Sequence, residues 1–373
     1  MTQHMKRLIP SLSLVLLLAA CATPARPDTA AMPTPAADPA SIRVIAHRGA
    51  SALRPEHTLE AYALAIADGA DAIEPDLVMT RDGVLVARHE NEIGGTTDVA
   101  ARPEFASRKT RKRIDGQWLE GWFTEDFTLA ELKTLRARER LPQLRSTRWD
   151  GQFQVPTLAE IVALVARESQ ARGRLIGLVP EIKHPSHFAA LGLAMEQPLL
   201  DALAAHPYTR RAPVLIQSFE VGNLRELREQ LPRGGNIRLL QLLGAPDESP
   251  ADLAAAGTPT RYVDMASAAG LRQVAGYVDA IGPHYLMLQL QPREGGGQRS
   301  ALVEAAHAAG LQVVAYTFRP ENHFLEARYR DAAGPAARNP EGSVREIRDY
   351  LSAGMDAFFT DDPALGRRAV DGD

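Results

Sequence analysis

Imidazole, carboxylate and cationic side chains follow several short apolar runs in this sequence, at the point where each run ends. They are His47 with Arg48, Glu74 with Asp76, His89, and Glu181 with Lys183. Imidazole titrates near neutrality and can give or take a proton. Carboxylates bind hard cations, and guanidinium and ammonium groups bind phosphate oxygens. The combination fits hydrolysis or transfer at the phosphorus atom of an anionic phosphodiester.

Three of the acids have the spacing of a metal site. Glu74 and Asp76 are two residues apart in an apolar run, so on a strand they face the same side. Alone, this pair could be two solvated acids on a half-exposed strand. Glu181, after another run, supplies a third oxygen ligand, and such a set suits Ca²⁺ or Mg²⁺. Zinc is disfavoured because the sequence has no Cys₂His₂-like or HExxH pattern.

The two histidines predict an acid–base pair. A single histidine is more often structural than catalytic, but His47 and His89 each end a predicted strand, with the metal site expected between them. Cleavage of a phosphodiester needs a base for the nucleophile and an acid for the leaving oxygen. Arg48 and Lys183 would contact the phosphate.

The elements that must position these residues are strands alternating with helices, which predicts a parallel α/β architecture. Because catalytic residues of (β/α)₈ barrels gather at the carboxyl ends of the strands, such a barrel fits the pattern. Helices are predicted over 58–68, 129–138, 158–168, 223–230 and 299–309, two of them opened by capping boxes at Thr128 and Thr157. The nine predicted strands are 42–46, 72–78, 84–87, 175–179, 213–216, 237–243, 277–281, 311–316 and 357–359.

Two irregularities distort this pattern. Only the turn 80–83 separates the second and third predicted strands, which is too short for a parallel crossover and predicts an antiparallel hairpin. Residues 91–126 have little periodicity and contain several Gly, Arg and Trp residues, which predicts an insertion after the third strand. We therefore expect a distorted barrel with one extra, antiparallel strand.

Composition and charge narrow the class of protein. The chain has 373 residues, of which 45% are apolar, and a formal charge of −4, so no basic field indicates a nucleic-acid partner. The basic run 108–113 is interpreted first as a solvated loop and second as a patch that attracts anionic lipid or other polyanions.

The first forty residues are predicted to direct and anchor the protein rather than to fold. A basic start and the short apolar stretch 8–18 predict a signal peptide over 1–20. The stretch ends before Cys21, the only cysteine, in a sequence that resembles a bacterial lipobox. We therefore expect lipidation of Cys21. We also expect a Pro- and Ala-rich tether over 21–40 and a folded domain over 41–370. The expected location is the periplasmic side of the cell envelope, with Ala22 favouring the outer membrane.

Several segments together resemble the glycerophosphodiester phosphodiesterase family, most closely its periplasmic bacterial branch, here in lipoprotein form. The resemblance extends from about residue 42 to 363. The segments that carry it are His47–Ser51, Pro55–Glu60, Glu74–Asp76, Thr80–Gly83, His89, Pro180–Lys183, Gln217–Phe219, Ala280–Pro283, Tyr316–Thr317 and Thr360–Asp361.

The resemblance implies a distorted TIM barrel of the PLC-like phosphodiesterase type and release of sn-glycerol 3-phosphate. It implies Ca²⁺, favoured over Mg²⁺, on Glu74, Asp76 and Glu181. His47 and His89 would be the acid–base pair, and Arg48 and Lys183 the phosphate contacts. The insertion 91–126 would shape the mouth of the site, and Phe219 and Tyr316 would line the glycerol site.

Three positions depart from the family pattern. Glu90 stands where an Asp usually follows the histidine, and Pro75 lies between the two metal carboxylates, where it cannot donate to a sheet ladder. His57 replaces the Asn of many relatives, and its position alone does not make it catalytic.

Two other functions remain open at this point. One is a related barrel phosphodiesterase that acts on intact lipids, which exposed apolar loops would favour. The other is a surface lipoprotein that uses the barrel only as a scaffold for binding a partner. The preferred head group and the oligomeric state are not specified by the sequence.

Overall fold

Eight parallel strands close into a barrel in the computed structural model, which describes residues 1–2 and 43–372. The strands are β1 (Val44–His47), β2 (Ala72–Glu74), β3 (Asp76–Met79), β4 (Leu85–Ala87), β5 (Thr110–Ile114), β6 (Gln117–Gly121), β7 (Gly177–Leu178), β8 (Glu181–Ile182), β9 (Val214–Ser218), β10 (Ile237–Leu243), β11 (Ala280–Pro283), β12 (Gln291–Pro292), β13 (Gln298–Arg299), β14 (Gln312–Phe318) and β15 (Ala357–Thr360).

The barrel order is β1-β2-β7-β9-β10-β11-β14-β15, and β15 pairs with β1 to complete the ring. These runs are apolar and rich in Val, Ile and Leu because a barrel strand is buried on both faces. The (β/α)₈ architecture expected from the alternation of elements is therefore confirmed.

Helices surround this barrel and connect its strands. They are α1 (Leu59–Ala67), α2 (Leu129–Leu132), α3 (Leu158–Arg172), α4 (Pro185–Ala190), α5 (Glu196–Ala205), α6 (Gly222–Gln230), α7 (Ala251–Ala255), α8 (Tyr262–Met265), α9 (Ala268–Val274), α10 (Ala301–Ala308), α11 (Pro340–Ser352) and α12 (Pro363–Asp371). Short 3₁₀ helices lie at Val99–Ala101, Pro103–Arg108, Thr124–Asp126, Tyr285–Leu288 and Ala327–Tyr329.

Two barrel strands are interrupted at proline. The predicted strand 72–78 is β2 and β3, separated at Pro75, and the next barrel strand is β7 and β8, separated by Val179 and Pro180. β3 and β8 continue the parallel pairing, with Asp76 opposite Glu181. The break at Pro75 is the local irregularity that its missing N–H predicts. β3 then pairs antiparallel with β4, so the expected hairpin is confirmed. β4 is the extra strand of the nine predicted, and it lies outside the ring.

The core has two parts, one inside the barrel and one between strands and helices. The interior holds a small set that includes Ile45, Val179, Leu240 and Phe359, and Phe219 and Tyr316 pack against it. The larger outer part joins the opposite strand faces to the helices. Since small and apolar side chains fill the barrel, polar groups are confined to its carboxyl end.

The segment 91–126 is more regular than its sequence indicates. It contains the β5–β6 hairpin, whose outer residues are mostly exposed, so it lacks the apolar alternation that predicts a strand. The Asp115-Gly116 turn between polar strands was the available signal. The basic run lies in and before β5, and Arg108, Lys109 and Lys112 are ion-paired with Glu131, Glu120 and Glu125.

The predicted helix over 129–138 is wrong beyond its first turn. Capping boxes do form at Thr128 and Thr157, but α2 ends at Leu132. Farther on, the Ala137 N–H donates to the carbonyl of Phe153 and the Arg138 N–H donates to the carbonyl of Thr96. Long-range hydrogen bonds thus replace the helical ones that the local sequence favours.

The expectations for the first forty residues lie outside the described residues. These are the signal peptide over 1–20, lipidation of Cys21 and the tether over 21–40. Within residues 1–2 and 43–372, the structure has no helix that is both long and apolar enough to cross a membrane.

Candidate active site

The three carboxylates predicted to bind a metal meet at the carboxyl end of the barrel. Glu74 ends β2, Asp76 begins β3 and Glu181 begins β8, so the breaks at proline lie beside these residues. One carboxylate oxygen from each residue lies within 4.8 Å of the others, and all three residues are buried. The Glu181 N–H donates to the Pro75 carbonyl, which holds the two interrupted strands in register.

The cluster has the chemistry of a cation site. Oδ1 of Asp76 is buried and has no hydrogen-bond partner among the described residues. Burial and the charge of Asp76 raise the pKa of Glu74, and burial raises the pKa of Glu181 to about 8. Burial opposes ionisation of Asp76 as well, but Lys183 and the hydrogen bond from His57 hold its pKa well below the usual range. Three such oxygens without a cation repel one another, and hard divalent ions prefer oxygen ligands.

A turn with left-handed backbone presents Arg48 to this cluster. Arg48 has a φ of 59° and Gly49 a φ of 90°. The Arg48 N–H donates to Oε2 of Glu74 over 2.8 Å, and its side chain contacts Glu56. A Cβ atom on Gly49 would lie 2.7 Å from the carbonyl carbon of Ala61, so only glycine fits here.

His47 is oriented by a carboxylate at the end of β15. Its Nδ1 donates to Oδ1 of Asp361 over 2.6 Å, and its Nε2 accepts from Nε of Arg48 over 3.2 Å. Burial and the neighbouring Arg48 lower the pKa of His47 to about 4, against the opposing effect of Asp361. The imidazole is therefore neutral with an unprotonated Nε2, the state required of a base. Arg145 and Arg319 in turn contact Asp361.

His89 forms a second histidine–carboxylate pair. Its Nδ1 is hydrogen-bonded to Oε1 of Glu90, so the acid that departs from the family pattern contacts the imidazole directly. Burial, Arg48 and Lys183 lower the pKa of His89 to about 3. Because Nδ1 is engaged by Glu90, Nε2 is the ring nitrogen left for a substrate.

One arginine links the surroundings of the two histidines. Arg140 donates to both oxygens of Glu56 and to both oxygens of Glu90. Glu56 also accepts from Arg48, which contacts His47. A continuous set of hydrogen bonds and ion pairs therefore joins His47 to His89 and fixes their relative positions.

Lys183 and two aromatic residues extend the site beyond the carboxylates. Nζ of Lys183 lies 2.8 Å from Oε1 of Glu181 and 5.6 Å from the centre of the Phe219 ring. Phe219 packs edge-on against Tyr316, with 6.0 Å between ring centres. The Tyr316 hydroxyl donates to the carbonyl of Leu243. The two predicted glycerol-site residues are thus linked to Lys183, since Phe219 contacts Lys183 and Tyr316 contacts Phe219.

The tip of the β5–β6 hairpin contacts this end of the barrel. Oδ2 of Asp115 lies 2.6 Å from Nδ1 of His184, the residue after Lys183. The segment 91–126 therefore borders the site.

Several residues that shape the site were not assigned a role from the sequence. Asp361 follows the last barrel strand, so its position was a usable signal. Arg140 and Arg145 lie in a segment without periodicity, and nothing local indicates their long-range partners. Gln217 donates to Oε1 of Glu74 over 3.2 Å. His57, fully buried, contacts Asp76 and Tyr62.

Barrel enzymes carry their reactive groups at this end of the strands, which is where the carboxylate cluster and the two histidine–carboxylate pairs lie. Residues 47–365 match the sequence model of the Glycerophosphoryl diester phosphodiesterase family. The chain therefore belongs to this family and is an enzyme of the phosphodiesterase class.

Named relatives are similar to this sequence over most of its length. The glycerophosphodiester phosphodiesterase GDPD6 of Arabidopsis thaliana is 32% identical, over 95% of this chain and 94% of its own length. The glycerophosphodiester phosphodiesterase of Haemophilus influenzae is 30% identical, over 87% of this chain and 88% of its own. The structure of an Oleispira antarctica phosphodiesterase in complex with the product sn-glycerol-3-phosphate shares the fold, with a TM-score of 0.57 and 20% identity over 88% of this chain and 96% of that chain.

Proposed function

We propose that this enzyme hydrolyses glycerophosphodiesters to sn-glycerol 3-phosphate and an alcohol, with a bound divalent cation and two histidines. The observation that carries the proposal is the position of the buried carboxylates among two histidine–carboxylate pairs linked by Arg140. The named product of the Oleispira antarctica relative supports the same product here.

The carboxylates of Glu74, Asp76 and Glu181 would hold the cation, and Ca²⁺ is the ion we favour over Mg²⁺. Such an ion, when bound, stabilises negative charge on a non-bridging phosphate oxygen. Arg48 and Lys183, both buried and cationic, would offset the remaining phosphate charge. Their guanidinium and ammonium groups contact Glu56 and Glu181 in the free protein, which holds them at the site.

The two imidazoles would transfer the protons. One, as the neutral imidazole, would take the proton of the nucleophile through Nε2. The other, as an imidazolium whose formation a bound phosphate anion favours, would protonate the departing alkoxide oxygen. The nucleophile is water or the neighbouring hydroxyl of the glycerol moiety. Asp361 and Glu90 hold Nδ1 of His47 and His89 protonated, which fixes the tautomer and favours the imidazolium formed during turnover.

For the location, we propose a lipid anchor on Cys21 that holds the enzyme on the periplasmic side of the cell envelope, at the outer membrane. The lipobox-like sequence before Cys21 and the Pro-rich segment after it support this proposal. Labelling with a radioactive fatty acid, compared between the parent and a Cys21→Ala variant, tests it; equal labelling of both would exclude the anchor.

The catalytic proposal is tested by release of glycerol 3-phosphate from glycerophosphocholine by the full chain. Activity should disappear in EDTA and return with Ca²⁺, more fully than with Mg²⁺. Full activity after removal of metal would exclude the cation. No product with Ca²⁺ from a folded protein would exclude the proposed reaction.

A further inference from the structure

An apolar groove opens at the carboxyl end of the barrel, next to the candidate active site. The cavity has a volume of about 740 Å³, which is within the range of roughly 300–1,000 Å³ of small-molecule sites. Its walls include Gly244 after β10, Leu286 after β11, Leu302 of α10 and Tyr316 of β14. We call this cavity the mouth groove.

A series of side-chain contacts connects the carboxylate cluster to Tyr316, which lines the mouth groove. Glu181 contacts Lys183, the Lys183 ammonium lies over Phe219, and Phe219 packs against Tyr316. Tyr316 therefore belongs both to the proposed glycerol site and to the groove. Burial and then Glu181 raise the pKa of the Tyr316 phenol, and its hydroxyl is already bonded to the Leu243 carbonyl. The ring thus offers an apolar surface to a ligand.

The lining changes sharply in polarity between the carboxylate cluster and the mouth groove. One end carries carboxylates, Lys183 and Arg48, whereas Val263, Leu286, Leu302 and Ala305 line the other. Val263 is 41% exposed and Leu286 50% exposed, which is an apolar surface of the kind that marks a binding site. A ligand that matches both ends must be an amphiphile with a phosphate head and an apolar chain.

The order of the contacts indicates which part of a glycerophosphodiester carries that chain. In the proposed function, Lys183 would bind the phosphate, and Phe219 and Tyr316 would line the glycerol site. The mouth groove begins at Tyr316, so the group that enters it is attached to the glycerol rather than to the head-group alcohol.

We infer that the mouth groove binds the acyl chain of a lysoglycerophospholipid and that such lipids are substrates. This inference rests on the proposed function. In the reaction, a water oxygen forms a bond to phosphorus, the bond from phosphorus to the head-group oxygen breaks, and the alcohol leaves with a proton. The products are an acylglycerol 3-phosphate and the free head-group alcohol.

A chain-length series tests the inference on the full chain with Ca²⁺. Choline release is measured from glycerophosphocholine and from hexanoyl, octanoyl and decanoyl lysophosphatidylcholine, each below its critical micelle concentration. Each fully buried methylene contributes about fourfold in affinity. We expect kcat/KM to rise at least about tenfold from hexanoyl to decanoyl. A flat series from an enzyme that cleaves glycerophosphocholine would overturn the inference. It would show that the mouth groove is not occupied by the acyl chain, whether it is empty or filled by another apolar segment.

Two matched variants test whether the dependence of kcat/KM on chain length arises in the mouth groove. Leu286 and Leu191 are both leucines with 50% exposure, and only Leu286 lines the mouth groove. Leu286→Glu should lower the ratio of decanoyl to glycerophosphocholine kcat/KM at least about tenfold, because a charge replaces apolar contact. Leu191→Glu should leave that ratio unchanged. Equal ratios in both variants would overturn the assignment of the groove. Absence of glycerophosphocholine cleavage by the parent would instead reject the proposed function.

Discussion

Nε2 of His57 donates a hydrogen bond to Oδ2 of Asp76 over 2.9 Å, while Nδ1 accepts from the hydroxyl of Tyr62 over 2.7 Å. The imidazole is fully buried, and burial lowers its pKa against the effect of Asp76, so it is neutral and both ring nitrogens are used. His57 therefore positions a carboxylate of the candidate metal site rather than acting on a substrate. Its φ of 54° explains why Asn can occupy the same place, since Asn and His both tolerate this left-handed conformation.

Removing the His57 side chain should weaken metal binding. His57→Gly keeps the left-handed backbone without strain but removes the donor to Asp76. Loss of such outer contacts typically lowers metal affinity about 10–100-fold. Calorimetric titration with Ca²⁺ measures the effect, and His57→Asn, which keeps an amide donor, should recover part of the affinity. Equal Kd values for the parent and His57→Gly would contradict the positioning role.

Metal binding should stabilise the folded enzyme through the carboxylate cluster. Saturating Ca²⁺ should raise Tm of the metal-free protein, because an ion that binds only the folded state adds to its stability. Asp76→Asn should abolish most of that increase, whereas Asp247→Asn, at a 91% exposed carboxylate, should retain it. Thermal unfolding with and without Ca²⁺ provides the measurement. An unchanged increase in Asp76→Asn would place the cation elsewhere.

Both histidines should be necessary for turnover. His47→Ala and His89→Ala should each lower kcat by about 10²–10⁴-fold, the usual contribution of general acid–base catalysis. His307 is a suitable control because it is also paired with an aspartate, Asp356, over 2.8 Å. Asp356 lies just before β15 and His307 lies near the end of α10, at the opposite end of the barrel from the site. His307→Ala should therefore keep its kcat. Steady-state kinetics and circular dichroism separate loss of chemistry from loss of fold; near-normal kcat in either site variant would reject the pair.

Gly49→Ala should destabilise the fold more than a glycine substitution made in open space. At Gly49 the φ of 90° and the 2.7 Å approach to Ala61 act together, whereas Gly151 has a φ of 78° with nothing within 4 Å of an added Cβ. Left-handed backbone alone costs an L-residue about 1–2 kcal/mol. We expect Gly49→Ala to exceed that loss in free energy of unfolding and Gly151→Ala to match it. Urea denaturation measures both, and equal losses would show that the contact with Ala61 is relieved cheaply.

A buried glutamate far from the catalytic groups should make stability depend on pH. Burial and then Glu326 raise the pKa of Glu346 to about 8, although Arg328, Arg330 and the N–H of Glu326 oppose the shift. Between the ordinary pKa of glutamate and about pH 8, the folded state binds this proton more strongly than the unfolded state. The stability contributed by the protonated carboxyl is therefore present at low pH and decreases as pH rises through that window.

Glu346→Gln should remove this dependence. Its amide oxygen can still accept from Glu326, so the variant should be more stable than the parent at pH 8 by up to a few kcal/mol. At pH 5 the difference should be small. The free energy of unfolding in urea at both pH values gives the comparison, and a parent with the same pH dependence as the variant would show that Glu346 stays ionised in the fold.

The sequence alone determined the barrel architecture, because each barrel strand is a short apolar run and helices are predicted between most of these runs. It also predicted the β3–β4 hairpin and grouped Glu74, Asp76 and Glu181, since parallel strands bring their carboxyl ends to one place. Local chemistry and the order of elements are sufficient for both.

Only the tertiary structure decided the contacts that orient these groups. Asp361 lies 314 residues from His47, and Arg140 joins Glu56 to Glu90 from a segment in which neither a helix nor a strand was predicted. The mouth groove likewise combines residues after β10 and β11 with residues of α10 and β14. No local pattern specifies such partners, because hydrogen-bond geometry and cavity shape arise only when the barrel closes and distant strand ends meet.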